Sequence, residues 1–425
     1  MKPIAAWLAG AALAAIWTTA GLAQDVIFLS TQLRPVEEAT KVRQVILKGV
    51  GPVTYAVEEP SPFQTRMDAE TQAGKRTISL VGALHGELQP LVNSKGLSPV
   101  DDLSAKAKER GVPDALMALG KLGGEQQMYI PWMQATYIMA AHKSALAHLP
   151  AGADVNTLTY DQLKAWAKAV QEKTGKRALG FPAGPKGLMA RFFQGYLYPS
   201  YTGGVVSTFK SADAEAMWTA FKDLWQHVNP NSTSYDFMQE PLMAGEVLIA
   251  FDHVARLKEA LNAAPNDFVT FPAPAGPKGR GFMPVIAGLG IPPGAPNRAA
   301  AAGLIEHLLK PETQVAMARE LGFFPVVKAE LPSDLPGGVK LLVEGVAKTQ
   351  TAKDALPSLL PVGLGAKGGE FNKVYMDTFQ RIVLRGEAPR AALDAQAATL
   401  AAIITETKAP CWAPDKASNG PCPIN

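Results

Sequence analysis

Six histidines, two cysteines and 38 acidic side chains are what this 425-residue chain has for binding a metal, attacking a carbonyl or moving a proton. His85, His142, His148, His227, His253 and His307 show no ligand spacing along one helix or strand face, so no metal site is expected. No HExxH pair, phosphate-binding GxxxxGK[ST] loop or GxSxG nucleophile elbow occurs. Gly363, Gly365 and Gly368 match GxGxxG, but Pro361 precedes them and no strand leads in, so no dinucleotide or other cofactor is expected. A catalytic carboxylate pair needs no fixed spacing, and the sequence leaves that possibility open. Cys411 and Cys422 lie at the extreme end, around "WAPDKASNGP", a stretch that turns easily. In an oxidising compartment they should form a disulfide that staples the tail; the alternative, a two-cysteine metal site, lacks nearby histidines.

Other candidates are positioned by the elements that carry them. "VIFLST" (26–31), "VTYAVEE" (53–59) and "TISLVGAL" (77–84) read as strands, and helical patterns separate them. That alternation predicts an α/β domain with a largely parallel sheet. Ligands of such sheets sit beyond the carboxyl ends of the strands. Gln32, Glu59 and His85 fall just past those ends, with Thr31, Glu58 and Glu87 beside them. "TLTYDQLKAWAKAVQEKTG" (157–175) predicts an amphipathic helix with Leu163, Trp166, Ala167 and Val170 inward. "DAEAMWTAFKDLWQHV" (213–228) predicts another, and Pro311 should split 298–322 into two helices.

The length calls for about two domains. Hydrophobic residues at 47 % and charged residues at 19 % suit a soluble globular protein. A net charge of +3 without a basic run argues against a nucleic-acid partner. Residues 1–23 read as a secretory signal peptide: Lys2, an apolar run over 4–17, and small Gly21 and Ala23 ahead of Gln24. That run is short for a membrane span.

In order along the chain, "VIFLSTQLRPVEEATKVRQVILKG", "YIPWMQATYIMAAHK", "LTYDQLKAWAKAVQEKTG", "MAGEVLIAF", "FPAPAGPKG", "AGLGIP", "LLKPETQVAMARELGFFPVVK" and "VLRGEAPRAALDAQAATL" resemble the family 1 extracellular solute-binding proteins. These are the carbohydrate-type substrate-binding subunits of bacterial ABC importers. The resemblance implies a two-lobed periplasmic binding protein fold (type II). Each α/β lobe would hold a mostly parallel sheet flanked by helices, with the ligand cleft between lobes. It implies lobes of residues 24–133 plus 273–325 and 134–272 plus 326–408, then a disulfide-closed tail over 409–425. Crossovers are expected near 132–136, 271–275 and 324–327. The implied role is non-enzymatic: a periplasmic monomer carries a sugar, sugar alcohol or sugar derivative to ABC permease membrane subunits. A secreted glycoside-acting enzyme on a two-lobed scaffold is the alternative, as is a carrier of a polyamine or peptide.

On that reading Trp132, after Pro131 at the first crossover, should cover the C–H face of a sugar ring, with Gln134 and Tyr137 adding hydrogen bonds. Asp252 and His253 end a strand of the second lobe and should face Gln32, Glu59 and His85 across the cleft. Lys186 and Arg191 flank the "AGPKG" turn, and Lys367 lies in the glycine-rich loop at 363–369. Any of the three that reaches the cleft would suit an anionic substituent on the ligand.

Overall fold

The computed structural model describes residues 25–32 and 36–425. The expected signal peptide therefore lies outside the described residues. Strand β1 (Val26–Ser30) pairs in parallel with β2 (Val53–Val57) and β3 (Leu80–Leu84). β4 (Ile130–Ala135) and the late strand β10 (Val285–Gly290) complete one five-stranded sheet, ordered β2-β1-β3-β10-β4. β10 runs antiparallel to both its neighbours. The second sheet is built from β5 (Tyr137–His142), β6 (Leu179–Gly180), β7 (Ile249–His253) and β8 (Phe268–Phe271), ordered β6-β7-β5-β8. Only β6 and β7 are parallel there; β5 is antiparallel to β7 and β8.

The expectation of mostly parallel sheets is thus corrected to mixed ones. The physical reason is connectivity. β4 leads into β5 through Thr136 alone, and β10 returns to the first sheet from the second. Such strands enter without the helical crossover a parallel neighbour requires.

Helices α1 (Val36–Lys41), α2 (Pro60–Ala73) and α3 (His85–Asn93) follow the first three strands. α4 (Tyr160–Thr174) starts at a capping box of Thr159 and Gln162 and stops at Gly175, φ 71°. Its buried face is Leu163, Trp166, Ala167 and Val170, as the periodicity predicts. α5 (Ala212–Trp225) contributes Phe221 and Trp225 to an aromatic core with Phe181, Phe192 and Phe379. α6 (Val254–Ala263) leaves β7 directly. α7 (Arg298–Leu308) and α8 (Pro311–Leu321) are split at Pro311, whose fixed φ suits the first turn of α8. α9 (Gly337–Gln350), α10 (Gly368–Phe379) and α11 (Pro389–Thr407) close the fold.

β9 (Arg280–Phe282) pairs with β11 (Ala355–Pro357) in a small separate sheet. The Arg280 guanidinium donates to the carbonyls of Leu158 and Ala273, and the Gly281 amide donates to Ser200 Oγ. The segment from Ala273 to Phe282 therefore packs among second-sheet elements. The chain regains the first sheet at Val285, later than the expected 271–275.

Cys411 and Cys422 are bonded, with Cα atoms 4.6 Å apart. The tail they close is docked. The buried Asp415 carboxylate accepts from the amides of Val205, Val206 and Ser207 at 2.8–3.0 Å, and Trp412 packs on Phe371. Among the described residues no helix is long and apolar enough to cross a membrane.

Candidate functional site

A cavity of about 540 Å³ lies between the two sheets. The first-sheet side supplies Thr31 and Gln32 after β1, Glu59 to Ser61 at the start of α2, and Leu84, Gly86 and Glu87 around the start of α3. The second-sheet side supplies Tyr137, the stretch Pro185–Leu188, Arg191, His253 and Arg256. Phe323 and Val285 come from the connecting segments. Leu360, Pro361, residues 364–366, Gly368, Gly369 and Asn372 close one end. There the chain passes so close to α3 that a Cβ on Gly86 would lie 1.7 Å from the Pro361 carbonyl oxygen, an approach only glycine permits. Within the Gly363–Gly368 run a short 3₁₀ turn, Gly365–Lys367, leads into α10, and β11 ends at Pro357 without running into it, so the GxGxxG match belongs to this wall rather than to a dinucleotide fold.

Of the residues the sequence singled out, Gln32, Glu59, Tyr137, Lys186, Arg191 and His253 line this cavity. Tyr137 packs parallel to Phe251 and edge-on to Tyr196 and His253, which fixes the ring. Among the described residues its hydroxyl has no protein partner, and burial raises its pKa to about 12. His253 caps α6 by accepting the Ala255 amide at Nδ1. Burial, then the Arg256 charge, pushes its pKa down to about 3, so the ring is neutral.

The other five point elsewhere. Trp132 is fully buried, edge-on to Phe28 at 5.8 Å, and belongs to the first lobe's core. Gln134 donates to the Pro325 carbonyl at 2.7 Å and pairs by backbone with Phe324, binding two connecting segments together. His85 turns inward to the Tyr129 hydroxyl at 2.8 Å, and burial lowers its pKa to about 4. Asp252 is buried, accepting from the Met238 and His253 amides; it ties β7 to the chain before the helix at 239–243. Lys367 is engaged by Glu370 and Glu406 on the outer surface. For Trp132, Gln134 and Asp252 the cause is the strand's alternation, whose phase the sequence did not fix, whereas His85 is turned by its helix start and Lys367 is drawn outward by its two glutamates.

Thr31 and Glu87, which the sequence placed beside the strand-end candidates, also line the cavity, as do Arg256, Phe323 and Asn372, which it did not single out. Arg256 had a legible signal, since it is three residues beyond His253 on the first turn of a helix and shares its face. Its Nη1 donates to the carbonyls of Asp236 (3.0 Å) and Lys186 (3.3 Å), and its guanidinium lies 4.5 Å from the Phe237 ring centre. Glu87 Oε2 accepts from Thr31 Oγ1 at 2.7 Å and from the Leu84 amide at 2.9 Å, while burial raises its pKa. Among the described residues no cluster of His, Cys, Asp or Glu is arranged to hold a metal ion.

The arrangement is a partly open cleft with one aromatic side, backbone and side-chain donors, and contributions from both sheets. It can hold a small polar molecule whose contacts are complete only when both sides engage it.

A sequence search finds no match among curated proteins. Solved structures do match in fold. Maltose-bound MalE3 of T. maritima has a TM-score of 0.70 at 18% identity, over 89% of this chain and 99% of that one. The GacH receptor of Streptomyces glaucescens, solved unliganded and with acarbose, has a TM-score of 0.68 at 16% identity, over 90% and 99%. UgpB of Mycobacterium tuberculosis, solved with glycerophosphocholine, has a TM-score of 0.68 at 16% identity, over 90% and 98%. All are two-lobed proteins, and that fold is shared here. The family profile for bacterial extracellular solute-binding proteins matches residues 48–336, more than half of the chain. With its cleft between two mixed sheets, the chain belongs to the bacterial extracellular solute-binding proteins.

Proposed function

We propose that this protein is the substrate-binding component of an ABC importer, capturing a sugar, sugar alcohol or sugar derivative between its lobes and delivering it to the permease. The observation that carries the reading is the composition of the cavity. Tyr137 and Phe323 offer aromatic surface for C–H faces, while Thr31, Gln32, Glu59 and Asn372 offer partners for hydroxyl groups. Neighbours of the same fold with maltose, acarbose and glycerophosphocholine bound support the ligand class.

The two sheets support lobes close to residues 24–133 plus 273–325 and 134–272 plus 326–408, the segment up to Phe282 packing with the second lobe. Ligand bound to both sides favours closure, because the full set of contacts exists only when closed. The protein works in the periplasm as a monomer, after cleavage of residues 1–23, and performs no catalysis on its cargo. Of the two carboxylates in the described lining, Glu87 is committed to capping α3 and to Thr31, which does not favour a paired acid–base role. The three cations of the lining argue against a polyamine.

Titration calorimetry of the mature protein with monosaccharides, disaccharides and polyols tests the proposal. Saturable binding of one sugar class with no change in the sugar is expected. Turnover of a glycoside, lost in Glu59→Gln, would replace the carrier with an enzyme.

A further inference from the structure

The lining carries its charges in a divided way. Glu59 and Glu87 come from the first-sheet side, and Lys186, Arg191 and Arg256 from the second. Among the described residues none of these three cations makes an ion pair with a carboxylate. Among the described residues Arg191 Nη1 donates to the Gln194 side chain at 3.0 Å. Arg256 is 4% exposed; among the described residues its hydrogen-bond acceptors are the two carbonyls at Nη1, so Nε and Nη2 have no hydrogen-bond partner there, and the buried Asp252 and Glu38 carboxyls act on it only through space. A buried guanidinium with donors left unbonded is costly, and an anion that meets those donors removes the cost. Arg191 and Arg256 also both act electrostatically on the Tyr137 hydroxyl, so the two guanidinium groups converge on one region of the cavity. The N-termini of α6 and α10, at His253 and Gly368, open on the same space and add positive potential. On the acidic side Glu87 spends its Oε2 on Thr31 and the Leu84 amide, and burial raises its pKa, so three cations face two carboxylates in the lining.

We infer that the cargo carries an anionic substituent, a phosphate or a carboxylate on a sugar or polyol, received by Arg256, Arg191 and Lys186 while Gln32 and Glu59 take the hydroxyl groups. The inference rests on the carrier reading above. Arg256 supplies the anchoring fork, already oriented by two carbonyls and the Phe237 ring, and a planar fork suits two oxygens of one anion. Lys186 and Arg191 close on the anion from nearer the mouth.

The test is calorimetry on mature protein that has been unfolded and refolded to strip any resident cargo. The probes are matched sets: glucose with glucose 6-phosphate and glucuronate, glycerol with glycerol 3-phosphate and glycerate, and inorganic phosphate alone. In at least one set an anionic member should bind at least tenfold more tightly than its neutral parent, and its affinity should fall as salt rises. The phosphate and carboxylate arms identify the anion. Arg191→Gln and Lys186→Gln, both at accessible positions, should each cut the anionic-to-neutral preference severalfold, and together at least tenfold. Lys367→Gln, outside the cavity, should leave the preference unchanged. Neutral parents binding as tightly as their anions, or a preference that survives both substitutions, would overturn the inference and leave the sugar carrier standing. Inorganic phosphate matching the sugar phosphate would overturn the assignment to a sugar derivative. No binding by any member would bring down both the inference and the sugar reading.

Discussion

Replacing Trp132 by alanine separates a core role from a binding role. The indole is fully buried, meets Phe28 edge-on, and sits on a strand whose carbonyl accepts from Gln314 Nε2. Gln314 in turn bonds the Leu308 carbonyl and the Val326 amide, so the site is braced and will collapse poorly around a void. Trp→Ala at such a position costs about 3–5 kcal/mol. For a lobe of this size that lowers the thermal midpoint by about 6–20 °C. The indole N–H has no acceptor among the described residues, so the native protein already bears an unsatisfied donor. Trp132→Phe removes that donor and keeps most of the ring, and should cost under about 2 kcal/mol. Calorimetric melting of both variants, with ligand titration of whatever remains folded, is the assay. Affinity within threefold of wild type is expected for folded Trp132→Ala. A midpoint unchanged within about 2 °C, together with a tenfold loss of affinity, would refute the burial and return Trp132 to the cleft.

Tyr137→Ala should weaken ligand binding at least tenfold, about 1.4 kcal/mol, by removing an aromatic face of the cavity; calorimetry reads this directly. Glu38 on α1 is buried with Oε1 unpartnered among the described residues, and burial raises its pKa to about 8 against the nearby charges of Arg256 and Lys258. Its folded-state value lies above the unfolded one, so the associated stabilisation is complete below about pH 4.5 and is lost as pH rises toward 8. Glu38→Gln should therefore gain stability over wild type across that window, by about 2–4 kcal/mol at pH 9; a difference flat with pH would contradict the assignment. Cys411→Ser with Cys422→Ser should lower stability by at most about 2–3 kcal/mol and expose the tail to protease, since Asp415 still docks it; melting and limited proteolysis report the two effects.

Much of this fold was legible because short-range signals sufficed. Alternating strand and helix patterns located β1 to β3, and strand ends brought Gln32 and Glu59 to the cavity. Thr159, Gly175 and Pro311 marked helix boundaries through local chemistry. Direction within an element was not legible where both faces are buried. β4 and β7 are buried along almost their whole lengths, so no polar alternation distinguishes Trp132 from its neighbours, or Asp252 from His253. Parallel sheets were expected because the first three strands show the crossover pattern, while β10 joins β3 from about 200 residues away. The closing wall at Leu360–Asn372 is likewise a long-range contact with α3 that no local pattern records.

The most direct test of the central claim is a thermal-shift series on refolded, cargo-free mature protein with neutral and anionic sugars and polyols. A ligand present at about 100 times its dissociation constant adds about 2.7 kcal/mol to the native state. The account predicts a rise of several degrees with one sugar class, cut to about half or less in Tyr137→Ala. A flat midpoint across every sugar and polyol, with a shift from a peptide or polyamine instead, would contradict it.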